Sequence, residues 1–338
     1  RAYSQLHQWD LAEEQLALVE KVNPPPAVLN NIFQFRQALQ QGRKDDAHQW
    51  MVETTFGAGF DSNVNSSTRE DTVQLGLLSL VINENQQAQD AALFESKVNA
   101  EWTYRTSPSW SWVSALRVND RQYEQQEPFE TTTLQGSFAP AWQSQKDQLR
   151  FPIVAQSFWL AGDPYRDSLG LNVEYLHAFS PKITALIFGG LNSNFYQDDQ
   201  MDSDQSVFGI GAGGQFAVNS PWGWSASTFL GRDDAEIREW NSKDFLGIQM
   251  GLTRTWQYHQ GSLQILSQDT EHREIDPIFN QQREDDFLST RLQWDWSKQQ
   301  RWGLRASVSF DHSESNVELY KYDRHQVVVS WWSRVREL

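Results

Sequence analysis

The stretch WMVETTFGAGFDSNVN, residues 50–65, decides the fold of this chain. In an extended conformation its first part has two different sides. One side carries the mostly apolar residues Val52, Thr54, Phe56, Ala58 and Phe60, and the other side carries Glu53, Thr55, Gly57, Gly59 and Asp61. A period of two residues is typical of a β-strand with one apolar face. We therefore predict that a strand begins near Trp50 and that it is the first strand of a closed barrel.

The same alternation continues to the C-terminus. In residues 302–310, for example, Trp302, Leu304 and Phe310 alternate with Arg305 and small polar residues. We count about fourteen such segments, an even number, as bacterial single-chain barrels require. The prediction is an antiparallel outer-membrane β-barrel of about 14 strands over residues 47–338.

Composition agrees with a membrane barrel. The chain has 338 residues with 16 Trp and 19 Phe, yet its hydrophobic fraction is only 39% and its mean hydropathy is -0.64. No apolar run approaches the roughly 20 residues of a membrane-spanning helix. A barrel needs only every second residue to be apolar, so it combines low hydropathy with many aromatic residues.

The net charge and the absence of cysteine give information about the partners and the cellular compartment of the protein. The net charge is -16 without a basic patch, which argues against nucleic acid as a partner. The absence of cysteine suits a protein that crosses an oxidising periplasm unfolded. The predicted partners of such a barrel are outer-membrane lipids and lipopolysaccharide.

The second face of the predicted strands is polar and partly charged. The residues that we predict to line the lumen are Glu53, Glu101, Arg105, Arg117, Arg150, Glu174, Arg291, Asp295, Arg305 and Arg334. A water-filled lumen accepts these charges, whereas a dry core does not. A soluble sandwich or lipocalin-like barrel is the alternative, because alternation is also its signature.

The connections between the segments are of two kinds. Tight turns are predicted at residues 106–109, 144–147, 180–182, 219–221, 258–261 and 297–300. They alternate with longer acidic connections at 62–92, 119–130, 197–204, 232–244, 269–286 and 311–323. In outer-membrane barrels the long loops face outward and the short turns face the periplasm. This rule places both the N-terminal segment and the C-terminus in the periplasm. We also predict a girdle of aromatic residues at each membrane interface: tryptophans near the short turns, and Tyr123, Phe195, Tyr196 and Trp240 near the long loops.

Residues 1–46 read as helix rather than strand. Apolar residues recur there at helical spacing until Pro24, and Ala12, Trp9 and Pro24 stand near positions of a tetratricopeptide repeat. We predict a periplasmic helical segment that ends a longer repeat domain. The alternative is a helical hairpin that plugs the barrel or docks on it.

The sequence contains no phosphate-binding loop, zinc spacing or nucleophile elbow. His312 beside Asp311 and His325 near Asp323 are the candidates for hydrolysis at the rim, but geometry rather than adjacency in the sequence defines a catalytic pair. We predict no enzyme, catalytic residue, metal or cofactor. Acidic loop clusters such as 198–204 either form a solvated exterior or bind divalent cations that bridge to lipopolysaccharide.

Two stretches carry a family resemblance. GAGFDSNVN, residues 57–65, opens the predicted barrel with Asp61, Ser62 and Asn63, and HSESNVELYKYDRHQVVV, residues 312–329, closes it. With the helical segment in front, the chain resembles the surface lipoprotein assembly modifiers. The resemblance implies periplasmic repeats ahead of a fourteen-stranded barrel and a role in bringing client lipoproteins to the cell surface. It also implies that the partners are a client surface (lipo)protein or other envelope subunits, and that Trp9, Phe33 and Phe35 lie on client-binding helices.

Three functions remain open at this point. In the first, the repeats capture a client and the barrel provides its route to the surface. In the second, the barrel exports a polysaccharide, as tetratricopeptide-barrel exporters do. In the third, the barrel anchors a scaffold for a larger surface machine. All three require the same fold.

Overall fold

The computed structural model describes residues 47–70, 72–75, 78–83, 86–298 and 301–337. It also describes six separate positions of the N-terminal segment, 13, 15, 16, 32, 35 and 36, which have helical backbone. No helix among these residues is long and apolar enough to cross a membrane.

The chain from His48 onward is built of strands. They are β1 His48–Asp61, β2 Thr72–Leu75, β3 Leu78–Val81, β4 Ala91–Arg105, β5 Trp110–Tyr123, β6 Thr131–Gln143, β7 Asp147–Arg150, β8 Ile153–Leu160, β9 Asp163–Ser180, β10 Ile183–Tyr196, β11 Ser203–Gln215, β12 Trp222–Ala235, β13 Lys243–Trp256, β14 His259–Asp276, β15 Gln281–Trp296, β16 Trp302–Ser315 and β17 Tyr322–Glu337.

The sheet closes on itself. Each wall strand pairs antiparallel with its neighbours along the chain, and β1 pairs with both β4 and β17. β7 and β8 together occupy one position between β6 and β9, so the wall has 14 strands. β2 and β3 form a separate hairpin inside the first loop. The predicted closed barrel of about 14 strands is therefore confirmed.

The two faces of the wall differ as the alternation predicts. On β1, Phe56 and Phe60 are 56% and 46% exposed, whereas Thr55 and Asp61 are 2% and 0% exposed. Large apolar side chains are exposed on the outer face of every wall strand except the short β7, and polar side chains occupy most of the alternate, inner positions. A closed sheet that exposes an apolar outer face matches the bilayer rather than water.

Aromatic residues pack over glycines on the inner face. A Cβ atom on Gly209 would lie 2.2 Å from the ring of Phe188 on β10, and one on Gly247 would lie 2.2 Å from the ring of Phe229 on β12. In each case the glycine leaves room for the aromatic ring of the neighbouring strand. Such pairs fix the register and curvature of a sheet.

The two ends of the barrel carry different connections. At one end, here called the turn side, β1 begins and β17 ends, and Trp50 pairs with Glu337. The other end, the loop side, carries the first loop, residues 62–90, and the 3-10 helices Glu127–Phe129, Asp199–Met201, Glu239–Asn241 and Glu318–Tyr320. The alternation of short and long connections agrees with the predicted pattern, with one exception.

That exception is the connection between β8 and β9. Only Ala161 and Gly162 join these strands on the loop side, both with positive φ values, 53° and 83°. A two-residue turn of this kind matches the twist of a hairpin. Two predicted loops are also shorter than expected, because β12–β15 continue past the apolar band as paired polar strands up to Ala235, Lys243, Asp276 and Gln281.

Candidate functional site

The inner face contains all ten residues of the predicted lumen set. Each occupies the strand position that alternates with the exposed apolar residues, and β7 brings Arg150 into register with Glu174 of β9. Four of the ten, Glu53, Asp295, Arg305 and Arg334, come together, and we call them the turn-side cluster. Among the described residues, the predicted set makes no ion pair outside this cluster.

The turn-side cluster joins four strands across the barrel seam. Arg334 on β17 donates to Glu53 Oε2 on β1 through Nε at 2.9 Å and Nη2 at 2.5 Å. Arg305 on β16 lies between two carboxylates, with Nη1 3.8 Å from Glu53 Oε1 and Nε 2.7 Å from Asp295 Oδ1. Positive and negative charges therefore alternate around this part of the inner wall.

Trp332 covers the wall beside this cluster. Its ring lies on the inner face, is 4% exposed and has the guanidinium carbon of Arg334 5.1 Å from its centroid. The indole Nε1 is buried without a hydrogen-bond partner. Gly303 makes room for the ring, because a Cβ there would lie 2.7 Å from it. The inner face next to the seam is thus packed rather than wholly wet.

A second cluster holds the loop side of the same seam. It consists of Asp61, Tyr123, Arg324 and Gln326, and we call it the loop-side cluster. Asp61 Oδ2 accepts hydrogen bonds from Arg324 Nη2 at 2.5 Å, Gln326 Nε2 at 2.7 Å and Tyr123 Oη at 3.1 Å. Asp61 is fully buried, and the side chain of Arg324 is 17% exposed. The first strand, β5 and the last strand are joined by one carboxylate.

Asn63 extends this cluster into the first loop. Its side-chain Nδ2 donates to the carbonyls of Ser67 at 2.8 Å and Asp323 at 3.0 Å, while Oδ1 accepts from Ser67 N at 3.0 Å. Ser62 exchanges two hydrogen bonds with the backbone of His325 at 3.0 and 2.9 Å. The sequence stretch that opens the barrel therefore also ties the first loop to the last strand.

An apolar group continues the same attachment inside the barrel. Val64 of the first loop packs with Leu93, Tyr123 and Val328 on the inner face, and Leu93 is fully buried. The start of the first loop consequently bends inward at the seam instead of extending from the rim. The loop-side mouth is partly covered at this point.

Sequence reasoning missed part of the loop-side cluster. Arg324 lies within the stretch that closes the barrel, but nothing local to it identifies Asp61 as its partner. The assignment of Tyr123 and Tyr196 to the outer aromatic girdle was wrong. Both occupy inner positions, where Tyr123 bonds to Asp61 and the ring of Tyr196 lies 5.7 Å from the guanidinium carbon of Arg166. Side chains alternate between the two faces of a strand, and this alternation, applied to each aromatic residue, would have placed both tyrosines on the inner face.

The histidine and acidic candidates form hydrogen bonds and ion pairs with neighbouring side chains. His312 Nδ1 lies 2.7 Å from Asp323 Oδ1 on the outer face, while Asp311 accepts from Ser289 Oγ at 2.6 Å on the inner face. In the part of the chain that the structure describes, no group of three or more His, Asp or Glu residues is arranged to hold a metal ion. Several loop-side carboxylates instead pair with arginines, as Asp244 does with Arg232 at 2.8 Å.

Of the three predicted client-binding residues, the structure describes Phe35. Trp9 and Phe33 lie outside the described residues, and Phe35 is half-buried at a helical position. Arg36 Nε donates to Glu13 Oε1 at 2.6 Å, so these two described positions of the N-terminal segment are in contact. The repeat assignment stays a prediction.

Comparison with known proteins gives a family and a set of similar barrels. The family model for surface lipoprotein assembly modifier proteins matches residues 50–333. Similar solved structures include the outer membrane channel DcaP of Acinetobacter baumannii, with 7% identity, a TM-score of 0.48 and coverage of 86% of this chain and 98% of that one. The toluene transporter TodX of P. putida has 9% identity, a TM-score of 0.42 and coverages of 86% and 90%.

A third similar structure is OmpT of Vibrio cholerae, with 7% identity, a TM-score of 0.47 and coverages of 86% and 98%. No curated protein matches the sequence. The family match spans nearly the whole wall, from Trp50 in β1 to Ser333 in β17. The chain therefore belongs to the surface lipoprotein assembly modifier family, and it is an outer-membrane β-barrel with a role in surface lipoprotein assembly.

Proposed function

We propose that this protein is the outer-membrane translocation route for client lipoproteins. The barrel interior receives the client polypeptide from the periplasm, and the N-terminal helical segment captures the client before it enters. The single observation that carries this proposal is the turn-side cluster, which lines the inner wall with charges that neutralise one another.

Paired charges suit the passage of many different sequences. A cluster of like charges on the wall would attract segments of the opposite charge and retain them. In the turn-side cluster each carboxylate lies near an arginine, and the side chains are 11–29% exposed. Such a surface offers hydrogen bonds to a passing backbone without a strong net field.

The position of the N-terminal segment supports capture at the entrance. It precedes β1 directly, and β1 begins on the turn side, where Glu337 ends β17. In our proposal the turn side faces the periplasm, as short turns do in outer-membrane barrels. A client held by these helices then lies next to the turn-side mouth.

The first loop covers the exit in this proposal. Its start is fixed to the seam by Asp61, Asn63 and Val64. Its hairpin of β2 and β3, in contrast, forms a two-stranded sheet that is separate from the sheet of the wall. We propose that the seam stays closed during export and that the client leaves through the mouth beneath this loop rather than sideways between β1 and β17.

Deletion and complementation test the proposal. In cells that lack this protein, a client lipoprotein is expected in the periplasm, protected from protease added to intact cells. Complementation with the full chain restores protease access, and a chain from which residues 1–46 are removed restores less. Unchanged surface display of every lipoprotein in the deletion strain contradicts the proposal, and loss of a surface polysaccharide alone indicates the export alternative.

A further inference from the structure

The outer face of the wall carries few cations. Among the wall strands that the structure describes, only Arg232, Arg254 and Arg273 are outward-facing Lys or Arg residues. Arg232 pairs with Asp244, and Arg273 pairs with Asp234, both on the loop side. Arg254 is the exception, because it lies near the opposite end of the barrel, on the turn side of β13.

Arg254 is held by aromatic rings instead of a carboxylate. Its guanidinium carbon lies 5.0 Å from the ring centroid of Trp222, its register partner on β12, and 5.6 Å from that of Trp256. Stacking on indole rings fixes the plane of the guanidinium while leaving its N–H donors free. The side chain is exposed, and no ion pair or hydrogen bond satisfies it within the described part of the chain.

The surrounding outer positions offer no counter-charge. The neighbouring outward residues at this end are Trp224 on β12, His259 and Gly261 on β14, and Trp294 and Trp296 on β15. His259 stacks between Trp256 and Trp294 with centroid distances of 5.6 and 5.5 Å, so the aromatic surface continues around the wall. An unpaired arginine on the lipid face is costly unless it meets an anion or water at the interface.

We propose that Arg254, with Trp222 and Trp256, binds the phosphate group of an anionic phospholipid in the turn-side leaflet. The planar guanidinium donates to two phosphate oxygens, as arginine does at other phosphate sites. The acyl chains of the lipid then run along Leu252 and Met250, the outward residues that precede Arg254 on β13. This site is independent of client export and belongs to the outer wall alone.

Lipid binding by the full chain tests the site. The purified protein in detergent is titrated with dioleoyl phosphatidylglycerol, and bound lipid is counted by native mass spectrometry. Arg254→Gln is expected to weaken binding at one site by about tenfold, since charge-assisted hydrogen bonds to phosphate are lost. Arg254→Lys retains part of the binding, and the matched control Arg232→Gln retains all of it.

Two results overturn the site. One is binding by Arg254→Gln that equals that of the unaltered protein, and the other is an equal loss in Arg232→Gln, which indicates a general charge effect. A second measurement needs no variant: the unaltered protein is extracted from vesicles of equal phosphatidylglycerol and phosphatidylcholine content. Enrichment of phosphatidylglycerol is expected, and equal retention of the two lipids contradicts the proposal.

Discussion

The seam between β1 and β17 has an arginine–carboxylate pair near each end, and the two pairs differ in their surroundings. On the loop side, Asp61 is fully buried and Arg324 is 17% exposed. On the turn side, the side chains of Glu53 and Arg334 are 11% and 29% exposed. Asp61 also accepts from Tyr123 and Gln326, whereas Glu53 shares its charge with a second arginine, Arg305.

This difference assigns different roles to similar residues. A buried carboxylate that accepts from three side chains joins strands and cannot change partners cheaply. A partly exposed cluster with alternating charge has alternative partners and contacts water, so removal of one member leaves others. The loop-side cluster therefore stabilises barrel closure and the first loop, and the turn-side cluster lines the interior.

Replacement of Arg324 should have the largest effect. Arg324→Leu leaves Asp61 buried without its cation, which should lower the free energy of unfolding by about 3–5 kcal/mol. The measurement is urea unfolding in detergent, followed by tryptophan fluorescence and by the electrophoretic mobility of the unboiled barrel. The double variant Asp61→Asn/Arg324→Leu should recover part of the loss. A single variant as stable as the unaltered protein would remove the structural role of this pair.

A second variant, which removes the hydroxyl of Tyr123, tests the loop-side cluster further. Tyr123→Phe removes the hydrogen bond that the hydroxyl donates to Asp61 and the one that it accepts from Arg324, each at 3.1 Å. Because both partners are charged, the expected loss is about 1.5–3 kcal/mol of unfolding free energy. Tyr258→Phe, at an exposed turn-side position, is the control and should change stability little. Equal effects of the two variants would show that the Tyr123 hydroxyl contributes nothing specific.

Gly59, between the two pairs on β1, tests how closely the seam strands pack. A Cβ there would lie 2.0 Å from the backbone oxygen of Val327, so Gly59→Ala forces the last strand to move. Overpacking of this kind should cost about 1–3 kcal/mol. The matched control is Gly136→Ala on β6, where a Cβ meets nothing within 4 Å. Similar stabilities of the two variants in the same urea series would contradict a tight seam.

Replacement of Arg334 should have the smallest effect on stability. Arg334→Leu leaves Glu53 with Arg305, and both groups contact water, so we expect a loss of about 1 kcal/mol or less. The comparison with Arg324→Leu, in the same detergent and urea series, is the informative quantity. If Arg334→Leu is the more damaging variant, the assignment of structural and lining roles to the two clusters is reversed.

The local sequence pattern predicts which face of the wall a residue occupies, but it does not predict which residue of a distant strand that residue contacts. The inward position of Glu53 and Arg334 follows from strand parity, which depends only on nearest neighbours. Their contact with each other depends on the register of β1 against β17, which are separated by most of the chain. For the same reason Asp61 was identified in its motif, while its partners Arg324 and Gln326 were not.

Other differences arise where charge and composition mislead. Acidic segments near residues 235, 243, 276 and 281 predict loops, yet they continue as paired strands beyond the apolar band. Backbone hydrogen bonding extends a hairpin wherever a neighbouring strand is available, whether its side chains are apolar or charged. The two-residue turn at Ala161 and Gly162 was missed although Gly162, Asp163 and Pro164 follow one another there, and such a run of turn-forming residues is a signal that could have found it.

Passage of a client through the interior can be tested directly, because the chain contains no cysteine. Ser307→Cys places a thiol on the inner face of β16, in register with Gln293 and Val328, and Ala306→Cys places one on the outer face beside Val329. A client lipoprotein arrested during export and carrying a thiol-reactive crosslinker should react with Ser307→Cys and not with Ala306→Cys. Reaction at Ala306→Cys alone, or equally at both positions, would contradict export through the barrel interior.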